Sequence, residues 1–425
     1  LAGGKTLDFF MENARLFLHF LHCSGYYQEW LVKSSIPTDE PWIIRVGMKI
    51  LQLALKWLES LIAGQWRLKS LKGLVSLFLI GASLSVAIAA CSPGNNTTSS
   101  SSAGTAKLVV EQKKDVELTL VSFAATKEAY KVIIPEFAEK WKQEHNQNVR
   151  ISRSYGGSGA QTRAVIDGLD ADIVHLALAL DTDRVMKAGL IEPGWKKEFP
   201  NDSIVAKSVA ALITREDNPK NIRSFSDLAR DGVQWVTADP KTSGVARWNF
   251  LALWHYATKM NRDEAKVKEF LTKAFSNVPI LSRDAREASD TFIKQGQGDA
   301  LINYENEVLL AQQKGEKVNY VIPEVNISID TPIALVDKNV NKHGTREVAQ
   351  AFVQYLYTPE AQTEFAKVGF RPVVETVAQE KEFATKYPKV KTLGSVQDYG
   401  GWSKVQEQFF ADGAFFDQMR SQLSK

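Results

Sequence analysis

The chain holds 425 residues, 44% of them hydrophobic and 24% charged, with a formal net charge of +3. That length exceeds one ordinary domain and suffices for two packed lobes, and the near-average composition excludes a disordered, collagen-like or multi-pass membrane chain. Residues 1–90 carry nine basic and six acidic side chains, so the positive excess sits there, the remainder balances, and no electrostatic footprint for nucleic acid is left.

Residues 1–65 start at Leu1, hold Met11 and Met48 as internal starts, and carry no recognisable site. They read as an over-extended start of translation and are set aside from the fold. Residues 66–90 read as a signal peptide. Arg67, Lys69 and Lys72 precede the uncharged run LVSLFLIGASLSVAIAA at Leu74–Ala90, which ends in small residues. A membrane span needs about 20 apolar residues, and this run is shorter. Ile88-Ala89-Ala90-Cys91 has the form of a bacterial lipobox, which makes Cys91 the expected lipid anchor and first mature residue. Residues 91–115, with NNTTSSSSAG at Asn95–Gly104, form a flexible tether. Cys23 lies in the leader, so the mature domain has no thiol for a disulfide, zinc cluster or nucleophile. The histidines show no HxxxH or HExxH spacing, so no metal is expected, and no motif asks for a cofactor.

Beyond the tether the chain alternates strand and helix. Val116–Phe123 reads as a strand leading into a helix at Thr126–Glu144; Val149–Ser154 is followed by GGSG and a helix at Ala160–Gly168. Ala171–Leu178 reads as a buried strand before a helix at Asp181–Gly189, and a break follows Ala210–Thr214. A second series has strands at Val233–Thr237, Val278–Leu281 and Asp299–Asn303, with helices after Gly244 and from Ala288. Val318–Pro323 and Thr331–Val336 read as strands rejoining the first sheet, before helices at Gln350–Tyr357 and Pro359–Val368. This pattern predicts an α/β chain of two lobes. Lobe 1 is expected at 116–213 and 317–425, and lobe 2, inserted between them, at 214–316.

Four strand-to-helix junctions place small or hydroxyl residues at a helix start: Ala124-Ala125-Thr126, Gly156-Gly157-Ser158-Gly159, Thr242-Ser243-Gly244 and Asp284-Ala285-Arg286. The first N–H groups of a helix lack internal partners and carry the positive end of its dipole. One such junction reads as ordinary capping. Their recurrence on both lobes points to an anion held by backbone donors. Arg247 and Arg286 read as braces for loops rather than as ligands. A hydrolase is not expected: GxSxG is absent, no histidine is tied to Ser158 or Ser243, and GGSG lacks the lysine of a phosphate-binding loop.

DPKTSGVAR at Asp239–Arg247 resembles the signature of prokaryotic sulfate- and thiosulfate-binding proteins, the solute receptors of ABC-type importers. SYGGSGAQ at Ser154–Gln161, GQGDALINYENE at Gly296–Glu307 and GGWSKVQEQFF at Gly400–Phe410 resemble the same family. The resemblance implies a type II periplasmic-binding-protein fold, two lobes each with a central sheet flanked by helices, closing on one dehydrated sulfate. It implies backbone donors at Ala124, Ser158, Gly244, Val245 and Ala285, the hydroxyl of Ser243 and an aromatic donor at Tyr304. The implied partners are sulfate or thiosulfate, the permease subunits of an importer and a membrane reached through the lipid; the receptor is expected to be exported and monomeric. Four positions depart from the family pattern: Asp239 replaces Asn, Ala124 replaces Asp, Tyr304 stands where Trp or Phe occurs, and Glu287 where small residues are usual. A cavity built only of donors favours sulfate over monohydrogen phosphate, whose proton would be left unpaired at a cost of about 1–3 kcal/mol unless Asp284 or Glu287 turned inward to accept it.

Overall fold

The computed structural model describes residues 114–261 and 263–423; the leader, the signal run, Cys91 and the Asn/Ser/Thr tether lie outside them. β1 (Val116–Phe123) passes through one 3-10 turn at Ala124–Thr126 into α1 (Lys127–His145). Tyr130, Ile133, Ile134, Phe137 and Trp141 recur at helical spacing, so one face of α1 is buried. α1 stops at Asn146, whose φ of 49° is left-handed. β2 (Val149–Gly156), α2 (Ser158–Ile166), β3 (Ile173–His175), α3 (Ala179–Lys187) and β4 (Ile204–Ser208) follow.

The chain then crosses through Val209 into β5 (Ala210–Arg215), β6 (Trp235–Ala238), α4 (Gly244–Met260), α5 (Glu264–Ser276) and β7 (Leu281–Ser282). α6 (Ala285–Ile293), β8 (Ala300–Tyr304), α7 (Glu305–Gln313) and β9 (Val318–Val321) complete that series. β10 (Val325–Ile327) and β11 (Ile329–Leu335) carry the chain back, followed by α8 (Asp337–His343), α9 (Arg346–Tyr355) and α10 (Pro359–Lys367). β12 (Thr392–Gly394) pairs with β10, and α11 (Gly401–Val405) and α12 (Phe415–Leu423) follow.

Two five-stranded sheets result, ordered β2-β1-β3-β11-β4 and β7-β6-β8-β5-β9, each flanked by helices. This is the two-lobed architecture of periplasmic binding proteins. In the first sheet β2 and β3 run parallel to β1; in the second β7 and β8 run parallel to β6. Ligands of open α/β sheets bind outside the carboxyl ends of such strands. Those ends are Phe123, Gly156, His175, Ala238, Ser282 and Tyr304, of which Phe123, Gly156 and Tyr304 line the cavity described below.

Two strands differ from the sequence reading. Val318–Val321 does not rejoin the first sheet: it pairs antiparallel with β5 in the second. β5 itself pairs with β8, so the first crossover runs through Val209, before the expected break. Short apolar strands carry no mark of which sheet they join, because pairing is settled by partners distant in sequence. The C-terminal stretch also packs on the second sheet's helices. Trp402 meets Trp248 edge-on at 4.5 Å, and Phe409, Phe410 and Phe416 surround Phe250.

Candidate anion site

The four junctions named in the sequence converge. A single small cavity, with about 170 Å³ of empty space, is lined by Phe123, Ala124, Gly156, Gly157, Ser158, Ala177, Ser243, Gly244, Val245, Asp284, Ala285 and Tyr304. Its small size suits a compact ion rather than a drug-sized ligand. Ala124, Ser158, Ser243, Gly244, Val245, Ala285 and Tyr304, the seven positions marked as ligand candidates, all lie on it. Among the described residues, no lysine, arginine or histidine side chain lines it.

Each junction presents a helix N-terminus. Ala124 opens the turn that leads into α1, Ser158 opens α2, Gly244 and Val245 open α4, and Ala285 opens α6. Four partly positive ends therefore face one volume, with N–H groups that no intrahelical carbonyl can satisfy. Ser243 is the N-cap of α4, yet its hydroxyl makes no capping bond and no other hydrogen bond among the described residues. The Tyr304 side chain is 1% exposed and its hydroxyl has no partner. Burial raises that phenol well above its usual range, the charges of Glu307 and Asp181 adding to the effect, so it stays a protonated donor.

Other groups are committed elsewhere. The Ser158 hydroxyl donates to Asp181 Oδ2 at 2.6 Å and accepts the Ala177 N–H at 3.0 Å, which leaves only its backbone N–H for a ligand. Among the described residues Asp284 is the one carboxylate on the cavity wall, and each of its oxygens already has a partner. Oδ1 caps α6 by accepting the Glu287 N–H at 3.0 Å, while Oδ2 faces Arg283 Nε at 3.3 Å. Glu287 does not line the cavity: its Oε2, buried and without a hydrogen-bond partner, lies 3.4 Å from Arg283 Nε, while 43% of the side chain is exposed. Asp239 accepts the Lys241 N–H at 2.8 Å and shapes the turn.

The two arginines brace. Arg247 donates from Nε to the Pro240 carbonyl at 2.8 Å and lies 3.8 Å from Asp181. Arg286 binds Glu307 bidentately, both contacts at 2.9 Å. Close backbone approach closes the cleft. A Cβ on Gly157 would stand 2.6 Å from the Thr242 carbonyl oxygen, and one on Gly244 2.6 Å from the Ala177 Cβ. Across the same cleft Trp248 Nε1 donates to the Ala177 carbonyl at 2.8 Å.

Sequence reasoning missed Asp181. It is fully buried in the first turn of α3, where an acidic residue reads as a helix-dipole partner, and nothing linear ties it to Ser158 or Arg247. Phe123 and Ala177 were missed too; as apolar residues on or beside strands they read as core.

Comparison with known proteins bears on the same region. The sequence profile of the family described as bacterial extracellular solute-binding protein matches residues 118–371. The chain is 52% identical over 351 residues to the sulfate-binding protein of Synechococcus elongatus, covering 82% of this chain and 97% of that one. It is 38% identical over 304 residues to the thiosulfate-binding protein of Pseudomonas aeruginosa, covering 71% and 91% of the two chains. Among solved structures it is similar to the sulfate-binding protein SubI from Mycobacterium tuberculosis, with 34% identity, a TM-score of 0.64 and coverage of 69% and 99%.

Proposed function

Because this chain belongs to the bacterial extracellular solute-binding proteins, within their sulfate- and thiosulfate-binding group, we propose that it is the extracytoplasmic sulfate receptor of an ABC-type importer. One observation carries the reading. Four helix N-termini meet at one cavity that Ser243 and Tyr304, whose hydroxyls have no partner among the described residues, also line, and no described cationic side chain lines it. A dehydrated dianion is the species such a cavity suits, because donors are abundant and Asp284, the one carboxylate among the described lining residues, already has a partner on each oxygen. Ala124, Ser158, Gly244, Val245 and Ala285 serve as backbone donors, Ser243 and Tyr304 as hydroxyl donors. Binding is reversible and no turnover follows. The receptor acts as a monomer, hands sulfate to the permease subunits, and is tied to its membrane by lipid on Cys91.

Calorimetric titration with sulfate, thiosulfate, molybdate and phosphate tests this. Saturable one-to-one binding led by sulfate is expected. Thiosulfate binding more tightly would reassign the ligand, and no oxyanion binding at all would remove the receptor reading. For the anchor, mass spectrometry of protein from the native membrane is expected to find lipidated Cys91 as the first residue; unmodified residues upstream would refute it.

A further inference from the structure

The junction that carries Tyr304 is gripped from behind by the other lobe. Tyr304 ends β8 of the second sheet, and the next residue, Glu305, has a fully buried carboxylate. That carboxylate is held by Arg371, through Nε at 2.6 Å and Nη2 at 2.9 Å. Arg371 belongs to the first lobe, since its backbone exchanges hydrogen bonds with Lys207 of β4 at 3.2 and 2.8 Å. Its guanidinium is itself fixed, by the Pro388 carbonyl at 3.0 Å and the Tyr387 ring at 5.5 Å. Two further contacts run alongside. Phe123 packs edge-on against both Tyr304, at 6.0 Å, and Phe370, at 6.3 Å. Gly369 has a φ of +99°, and a Cβ there would stand 2.8 Å from the Asn306 Cα. The segments 304–306 and 369–371 thus meet backbone to backbone, with a bidentate pair beside the aromatic contact.

We propose that the Glu305–Arg371 pair is a positioning device for the Tyr304 hydroxyl: by fixing the peptide that follows Tyr304, it sets the reach of the phenol into the anion cavity. The inference rests on the receptor reading above. Neither Glu305 nor Arg371 lines the cavity, so their effect on the anion passes through Tyr304. A bidentate guanidinium–carboxylate fork fixes direction as well as distance, which a lysine at the same position cannot reproduce. The Glu305 N–H donates to the Val209 carbonyl at 3.0 Å, so the same residue is also held to the first crossover between the lobes.

A double-mutant cycle on the purified full chain tests this, with sulfate affinity read by calorimetry. Tyr304→Phe is expected to weaken sulfate about tenfold, as loss of one hydrogen bond to a charged group does. Arg371→Lys is expected to cost about five- to tenfold when Tyr304 is present and less than about twofold in the Tyr304→Phe background, since residues acting through one contact are not additive. Losses that simply multiply, or an Arg371→Lys protein with wild-type affinity, would overturn the proposal and leave the pair a brace of the fold. Should Arg371→Lys fail to fold, the cycle runs with Glu305→Gln, which keeps the shape and removes the charge. Absence of sulfate binding by the wild-type chain would instead sink the receptor reading itself, so the two failures are distinct.

Discussion

The hydroxyl of Ser158 donates to the buried carboxylate of Asp181 at 2.6 Å, and this bond divides the two serines of the cavity into different roles. Ser158 offers a ligand its backbone N–H, while Ser243 offers a hydroxyl that has no partner among the described residues.

Ser243→Ala is therefore expected to weaken sulfate binding by about 1.5–3 kcal/mol, the worth of a hydrogen bond to a charged group, with little change in melting temperature. Ser158→Ala should show the reverse balance. It strips a donor from Asp181, whose Oδ1 already lacks a hydrogen-bond partner, and should cost roughly 1–3 kcal/mol of stability. Affinity should fall less than for Ser243→Ala, because the backbone donor remains. Calorimetry and thermal melts on both variants check the pattern; equal affinity losses would contradict it.

Gly157 lies where the lobes come closest. An added Cβ would sit 2.6 Å from the Thr242 carbonyl oxygen and 3.0 Å from that of Arg283, both backbone atoms of the second lobe. Gly157→Ala is expected to oppose closure at a cost of about 1–3 kcal/mol, as overpacking does. The loss should appear in sulfate affinity and hardly in the melting temperature of the empty protein, which can relax by opening. Unaltered affinity would show that the cleft accommodates the methyl group.

Phosphate should compete poorly. Asp284 is the only carboxylate among the described residues of the cavity wall, and its two oxygens already serve the Glu287 N–H and Arg283. The proton of monohydrogen phosphate would go unpaired, at about 1–3 kcal/mol for the group left unsatisfied. Competition titrations at neutral pH are expected to show phosphate at least about tenfold weaker than sulfate. Parity between the two anions would show that Asp284 accepts the phosphate proton beside its present partners.

His175 gives the fold a pH dependence. It is fully buried between the Tyr130 hydroxyl, 2.7 Å from Nδ1, and Thr331 Oγ1, 3.1 Å from Nε2. Burial lowers its pKa from 6.5 to about 3, so the folded chain keeps the ring neutral while an unfolded chain takes up a proton. Stability is then full above pH 6.5 and falls as pH drops from 6.5 toward 3, by about 1.4 kcal/mol per pH unit. Denaturant melts between about pH 7.5 and 4.5 should show the gap between wild type and a less stable His175→Gln variant narrowing toward low pH. A gap independent of pH would mean that His175 titrates normally in the folded chain.

Much of this was legible in the chain itself. Alternating strands and amphipathic helices announced two lobes, and glycine, serine and alanine at strand-to-helix junctions announced where an anion could approach backbone N–H groups. Those signals are local: a helix end exposes unsatisfied donors wherever it occurs, and a Cβ-free residue permits close approach in any context. The motif Asp239–Arg247 could be read because its residues are contiguous, as a resemblance to a known family.

Tertiary structure alone decided the rest. That Val318–Val321 joins the second sheet, that Asp181 takes up the Ser158 hydroxyl, and that Arg371 grips Glu305 are outcomes of pairings between residues far apart in sequence. A buried carboxylate is written in the sequence like an exposed one. Only folding shows that water has been removed from it and that a particular hydroxyl or guanidinium must replace that water, because leaving it alone in a low-dielectric interior would cost more than the fold can spare.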